Sequence, residues 1–469
     1  MLNAADTAFA DRLNASGIST RPATPSYLEE PRGKFTGQSA YVALPETTED
    51  VATIVRLCGE ARVGLIPYGG GTGLVAGQVA LDGPPPLILS LEKLNRIRAV
   101  YPLENTLVTE AGVTLATLHA AAEDADRLFP LTYASKDSAR IGSALAVNSG
   151  GLNVLRYGPA RDLCLGVEAV LPNGDIFHGL KRLRKDNTGY DLRNLLIGSE
   201  GTLGIITAAA LKLHPRPTKT ATAFIAVENP EAALTLLSLF QDRTGGTVSA
   251  FELISGQSFA FLRDTHPETR LPFEADPAWA VLVELGTGPD SDPEALLADV
   301  FETALEASVA HDARLAQSGQ QQAEFWAVRE TIPEANRRIG AIASHDIALP
   351  LGEVPDFLKE ADEKIPALFP MRINAFGHLG DGNLHYNVFP PPGESNAAYK
   401  DRAAEATRLI HDLVMARDGT FSAEHGVGRA KVADLMRYGD PVKLATMRTI
   451  KKALDPLGII NPGAVLPKE

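Results

Sequence analysis

The run GGGTGLVAG, Gly69 to Gly77, constrains the fold of this chain more than any other stretch. It follows a short strand-like segment, Gly64 to Tyr68, and another, Leu87 to Leu91, comes after the triple proline Pro84 to Pro86. A doubly wound dinucleotide-binding fold would open a helix at such a loop. Gly77 and the prolines forbid a long helix, so that fold is excluded. A phosphate-loop NTPase is excluded as well, because no Gly-Lys-Ser/Thr follows. What remains is a nest of backbone N–H groups between two strands, suited to an anion such as pyrophosphate held by main chain alone.

Other local signals surround this loop. Thr47 and Asp50 make a capping-box pattern ahead of Val51, Ile54, Val55 and Cys58, whose spacing predicts an amphipathic helix. IGSALAVNSGG, Ile141 to Gly151, reads as a second loop of small residues, open to close approach by a planar or extended ligand. Asn173-Gly174 predicts a tight hairpin between Gly166–Leu171 and Asp175–His178. IGSEGTLGIIT, Ile197 to Thr207, gives a third such loop and leads into a strand reaching Leu213. Pro215-Arg216-Pro217 breaks that strand and marks a domain boundary. Each loop alone is ordinary turn chemistry, but three in one α+β region point to a ligand.

With 469 residues the chain exceeds one ordinary core. Its net charge of −14 argues against nonspecific nucleic-acid binding. The two cysteines, Cys58 and Cys164, lie in apolar stretches, so neither a disulfide framework nor a cysteine-ligated zinc site is expected. A reducing cytoplasm fits. The N-terminus lacks a basic start followed by an apolar core, and no apolar run suits a membrane span, which leaves peripheral membrane association as the expected limit.

From Thr220 the pattern becomes strand, helix, strand: Ala221–Val227, Pro230–Asp242, Val248–Ile254. It recurs as Trp279–Gly286, a helix over Pro293–Ala310, then Ile342–Pro350 after a helix containing FWAVRE. An antiparallel sheet covered by helices follows from this order. Farther on, GHLGDGNLHYN, Gly377 to Asn387, carries Asp381-Gly382 between apolar segments. Read as a two-residue type I′ turn, it sets His378 directly opposite His385, with Asn387 on the same face. Two imidazoles so placed can share a metal ion. Glu424-His425 in SAEHGVG offers a third ligand. Arg329, beside Phe325 and Trp326, reads equally as a surface arginine over aromatic packing or as a clamp on a carboxylate.

The loop GGGTG, the segment NSGGLNVLRYG (Asn148 to Gly158) and RKDNTGYDLRNLLIGSEGTLGIIT (Arg184 to Thr207) resemble the FAD-binding domain of the vanillyl-alcohol oxidase class of flavoproteins. Within that class the chain is most similar to the FAD-linked D-2-hydroxyacid dehydrogenases. The resemblance implies an α+β fold, with a two-subdomain FAD-binding domain over 1–217. A ferredoxin-like cap carrying the metal hairpin would span 218–425, and 426–469 would return to the FAD domain. It implies FAD on Gly69, Gly70, Gly71, Thr72, Gly73 and Leu74. Ile141, Gly142, Asn148, Gly150, Gly151, Tyr157, Gly158, Glu200, Gly201, Gly204, Ile206 and Asn461 would line the rest. The family commonly has Ile-Gly-Gly-Asn where this chain has Ile141-Gly142-Ser143-Ala144.

GHLGDGNLHYN and SAEHGVG match the family's metal and catalytic motifs. By that match His378, His385 and Glu424 bind a divalent cation, expected to be zinc, and His425 is the general base. Arg329 and Asn387 would bind substrate. The implied reaction is oxidation of a D-2-hydroxyacid, D-2-hydroxyglutarate or D-lactate, to the 2-oxoacid. The reduced flavin would pass electrons to an electron-transfer flavoprotein or a quinone, and a homodimer is compatible. Relatives acting on the diacid generally carry Thr and Lys where this chain has Pro333 and Ser344, which favours a monocarboxylate; Arg337 or Arg338 could supply the missing cation. The rivals are a metal hydrolase using Glu424-His425 and the two histidines, and a nucleotide-binding sensor without chemistry.

Overall fold

The computed structural model describes residues 1–468. The chain divides into two compact units, one of residues 1–151, 158–216 and 424–468, the other of residues 152–157 and 217–423. The break between the first pair falls at Arg216/Pro217.

The first unit holds two main sheets. Strands β1 (Thr20–Pro22), β2 (Tyr41–Ala43), β3 (Leu65–Tyr68) and β4 (Leu87–Ser90) form a sheet of order β1-β2-β4-β3, in which β3 and β4 run parallel. Strands β5 (Ile97–Tyr101), β6 (Thr106–Glu110), β8 (Cys164–Val170), β9 (Ile176–Gly179) and β10 (Ile205–Lys212) form the second, antiparallel and of order β5-β6-β10-β8-β9. A small ribbon pairs β7 (Arg127–Leu128) with β11 (His214–Pro215). The Thr48–Ala61 helix begins on the expected capping box, both bonds made between Thr47 and Asp50, and buries Val51, Ile54, Val55 and Cys58. Near the C-terminus the chain returns to β3: Leu65 N–H donates to Ile459, and Asn461 N–H to Leu65, each at 2.8 Å.

The expectation of a loop over Ile141–Gly151 is corrected in part. Ile141–Val147 is a short helix, ended by Asn148 in the left-handed region at φ 55°. Its first N–H groups have acceptors in a neighbouring segment: Ile141 donates to Val113 and Gly142 to Ala111.

The second unit is one sheet of seven strands, with order β15-β12-β14-β13-β17-β18-β16, all neighbours antiparallel. They are β12 (Lys219–Val227), β13 (Val248–Ser255), β14 (Trp279–Thr287), β15 (Ala310–Leu315), β16 (Ala343–Ala348), β17 (Arg372–His378) and β18 (Asn383–Phe389). The helix expected to run to Ala310 ends at Glu306, and β15 follows as an edge strand whose polar sequence, AHDARL, hid it. Because side chains alternate along a strand, each strand feeds two cores. Ala223, Ile225, Val281, Val283, Leu384 and Tyr386 pack with the helices Pro230–Thr244, Pro293–Glu306, Val354–Lys364 and Ala403–Met415. Phe224, Leu282, Ile254 and Phe376 pack on the opposite face with Gly256–Thr265 and Gly319–Ile339. Residues 152–157 join this unit through Arg156, whose guanidinium donates to Gly286 O at 2.7 Å.

Candidate active site

In the first unit the loop after β3 has the form the sequence demanded. A Cβ on Gly70 would lie 1.9 Å from Ser138 O, so only glycine permits this approach, and Gly71 has φ 72°. Among the described residues no backbone N–H from Gly69 to Leu74 is donated to a protein acceptor. Six adjacent backbone donors without a protein acceptor are of the kind that suits an anion. Arg429 fastens the far side of this loop, donating to Ala76 O, Gly77 O and the Asn461 side chain.

Three of the expected cofactor residues are turned to structural work by their side chains. Asn148 accepts from Arg161 N–H at 2.9 Å. The Glu200 carboxylate accepts from Val427 and Gly428 N–H, each at 2.7 Å, and Asn461 Nδ2 donates to the Glu200 carbonyl. Burial pushes the Glu200 carboxyl upward even though those backbone bonds oppose it. Gly150, Gly151, Gly158, Gly201, Gly204 and Ile206 lie in this unit, whereas Tyr157 belongs to the second.

In the second unit the polar residues gather on the sheet face covered by Gly319–Ile339. The hairpin register is corrected by two residues: Phe376, not His378, stands opposite His385. Leu379–Asp381 makes a 3₁₀ turn closed by Gly382 at φ 78°, and Asp381 accepts from Asn383 N–H, so the connection spans four residues rather than two. An even shift preserves the face. His378 and His385 therefore still meet, ring centroids 5.7 Å apart and nearly perpendicular, with Phe376 at 5.0 Å from His385. Asn387 lies on the same face, its amide donating to His385 O.

Two acids that the sequence reading missed complete this face. Glu252 on β13 faces His378 across the sheet and is fully buried. Its two carboxylate oxygens bind His378 Nδ1 and Arg329 Nε, each at 2.6 Å. Burial alone would raise this carboxyl, but the adjoining His378 and Arg329 outweigh it and hold it below the usual carboxylate range. Asp346 on β16 lies opposite His385 and accepts from Asn383 Nδ2 at 2.9 Å. A lone acid inside the apolar strands VSAFELIS and ASHDIA was the available signal.

Arg329 projects from the long helix onto this face. It is 5% exposed, its guanidinium lies 4.8 Å from the Phe376 ring centroid, and its Nη groups donate to no acceptor among the described residues. Arg337 and Arg338 are exposed and held by Glu334, so neither faces the site. Residues 420–423 run along β16: Thr420 exchanges backbone bonds with Ala348, and Ala423 N–H donates to Asp346 O. Glu424 is the next residue in the chain.

Residues 216–465 match the family described as FAD linked oxidases, C-terminal domain, and residues 39–179 match FAD binding domain. The chain belongs to the FAD-linked oxidase family. Among its relatives, the mitochondrial D-2-hydroxyglutarate dehydrogenase of Arabidopsis thaliana is 34% identical over 436 residues, 92% of this chain and 76% of the relative. The D-2-hydroxyglutarate dehydrogenase of Stutzerimonas stutzeri (strain A1501) is 34% identical over 433 residues, 92% of each chain. The solved structure of a 4-ethylphenol oxidase from Gulosibacter chungangensis is 18% identical, with a TM-score of 0.75 over 100% of this chain and 99% of that one. That likeness establishes the fold, which is α+β.

For a FAD-linked oxidase the free donors of Gly69 to Leu74 fit a pyrophosphate. The enzyme is thus an FAD-dependent dehydrogenase, and its polar sheet face is the candidate substrate site. No helix among the described residues is long and apolar enough to cross a membrane.

Proposed function

We propose that this dehydrogenase oxidises a D-2-hydroxyacid to the 2-oxoacid, with D-2-hydroxyglutarate the first substrate and a divalent cation, zinc, assisting. The observation that carries the reading is the buried Arg329, its Nη edge without a protein acceptor, on the same sheet face as two adjoining histidines. The names of the relatives support the diacid.

His378, His385 and Glu424 would hold the cation. The imidazole pair supplies nitrogen ligands suited to zinc, and Glu424 follows directly on the segment anchored at Asp346. When bound, FAD supplies the hydride acceptor and the cation a Lewis acid for the substrate hydroxyl. Arg329 binds the carboxylate through its Nη atoms, and Asn387 orients the substrate from β18. His425 takes the hydroxyl proton on a ring nitrogen. In the first unit Gly69 to Leu74 would hold the FAD pyrophosphate, and Ile141, Gly142, Asn148 and the Ile197–Thr207 segment would line the rest of the cofactor. The electron acceptor would be an electron-transfer flavoprotein or a quinone, and the enzyme would work in the cytoplasm or at a membrane surface.

A second reading, a monocarboxylate such as D-lactate, is favoured by one local fact. Ser344, opposite Asn387, brings no charge, and Arg337 and Arg338 are held by Glu334. Dye-linked oxidation of D-2-hydroxyglutarate, D-lactate, D-malate, L-lactate and glycolate decides between them. The first reading expects the highest kcat/KM for D-2-hydroxyglutarate. Turnover of D-lactate alone favours the second, and no turnover of any D-acid overturns both.

A further inference from the structure

We propose that Glu252 is a positioning residue that sets two parts of the site at once. It holds His378 in the tautomer that presents Nε2, and it aims the Nη edge of Arg329 at a substrate carboxylate. This rests on the proposed reading of His378 as a metal ligand and Arg329 as a carboxylate ligand.

The geometry is specific. Glu252 and His378 are paired in register on adjacent strands, and Arg329 comes down from the covering helix. An ionised carboxylate can only accept, so His378 Nδ1 must carry the proton in its 2.6 Å bond to Oε1. In the neutral ring the lone pair is then on Nε2, the arrangement by which a carboxylate orients a metal-binding histidine. The second oxygen takes Arg329 Nε, also at 2.6 Å, so the guanidinium spends its inner donor on protein. Phe376 supports its face at 4.8 Å, and the outer Nη pair keeps the fork geometry that matches a carboxylate. One fully buried side chain thus couples cation binding to carboxylate binding.

The test is Glu252→Gln in the full-length flavoprotein, compared with wild type for Zn²⁺ affinity, by competition with a chromophoric chelator, and for KM and kcat with D-2-hydroxyglutarate. The amide can donate to His378 and reverse its tautomer, and it carries no charge for Arg329. Zn²⁺ affinity is expected to fall roughly 10–100-fold, with KM rising by a larger factor than kcat falls. A residue that only ties strands to helix would lower the melting temperature and leave both quantities alone. Flavin content and melting report folding. Should Glu252→Gln not fold, Glu252→Asp keeps the charge but is a methylene shorter, so it is expected to weaken either Zn²⁺ affinity or KM. Zn²⁺ affinity and KM within twofold of wild type in the folded variant overturn the inference alone. A wild type that binds no Zn²⁺ and oxidises no D-2-hydroxyacid overturns the proposed function with it.

Discussion

Replacing Arg329 by methionine removes the one buried guanidinium on the polar sheet face while keeping much of its bulk. Two effects follow, and they are separable. The first is on stability: Glu252 stays fully buried and keeps only His378 of its two partners. Breaking one side of a buried ion pair costs about 3–5 kcal/mol. At roughly 2–4 °C per kcal/mol for a unit of this size, the melting temperature should drop by about 6–20 °C. The second effect is on turnover. Losing charge-assisted bonds to a substrate carboxylate, about 1.5–3 kcal/mol, lowers kcat/KM by roughly 10–150-fold. Arg329→Lys separates the two, because a single ammonium can satisfy Glu252 or the substrate but lacks the fork to serve both. It should recover most of the stability and little of the kcat/KM. Differential scanning calorimetry and dye-linked kinetics measure the pair. A methionine variant with wild-type kcat/KM would refute the assignment of Arg329 to the substrate, and one with unchanged melting would refute the energetic coupling to Glu252.

Three further outcomes are expected. Gly70→Ala should yield protein with sharply reduced FAD content, read from the flavin absorbance per protein, because its Cβ would lie 1.9 Å from Ser138 O; full flavin occupancy would contradict the loop's role. His425→Ala should lower kcat by a factor of about 10²–10⁴ with flavin retained, and an unchanged rate removes it as the base. In the first unit Glu110 and Glu168 are buried, and although burial raises their carboxyls, Arg96 and Arg98 more than offset it, Thr48 and Thr207 also hydrogen-bonding Glu168. Both are lowered in the folded state, so their stabilisation is present above about pH 4.3 and is lost as pH falls below it. Melting curves should fall steeply from pH 5 to pH 3, and Glu110→Gln should flatten that fall.

How much of this was legible in the sequence depends on how local each signal is. The glycine loop was readable because Gly77 and Pro84 to Pro86 leave the backbone few choices. The capping box at Thr47 and the apolar spacing after it specified a helix for the same reason. The hairpin shows the limit of local reading. Asp381-Gly382 suits a two-residue turn, yet Asp381 instead caps a longer one by accepting from Asn383. The face survived only because the shift was even. Ile141–Val147 was read as loop from its run of small residues; acceptors on Val113 and Ala111 hold its first helical turn in place. VSAFELIS marked Glu252 as a lone acid in an apolar strand, but its pairing was out of reach. Its partner His378 lies 126 residues away, and nothing local in either strand says that they are neighbours.

The central claim, a metal-assisted oxidation of a D-2-hydroxyacid by bound FAD, is tested most directly by the anaerobic reductive half-reaction before and after chelation. Mixed with D-2-hydroxyglutarate, the untreated enzyme should lose its flavin absorbance. After metal removal the FAD should remain bound but stay oxidised, and added Zn²⁺ should restore the bleaching. Bleaching at the same rate in the metal-free enzyme would contradict the account.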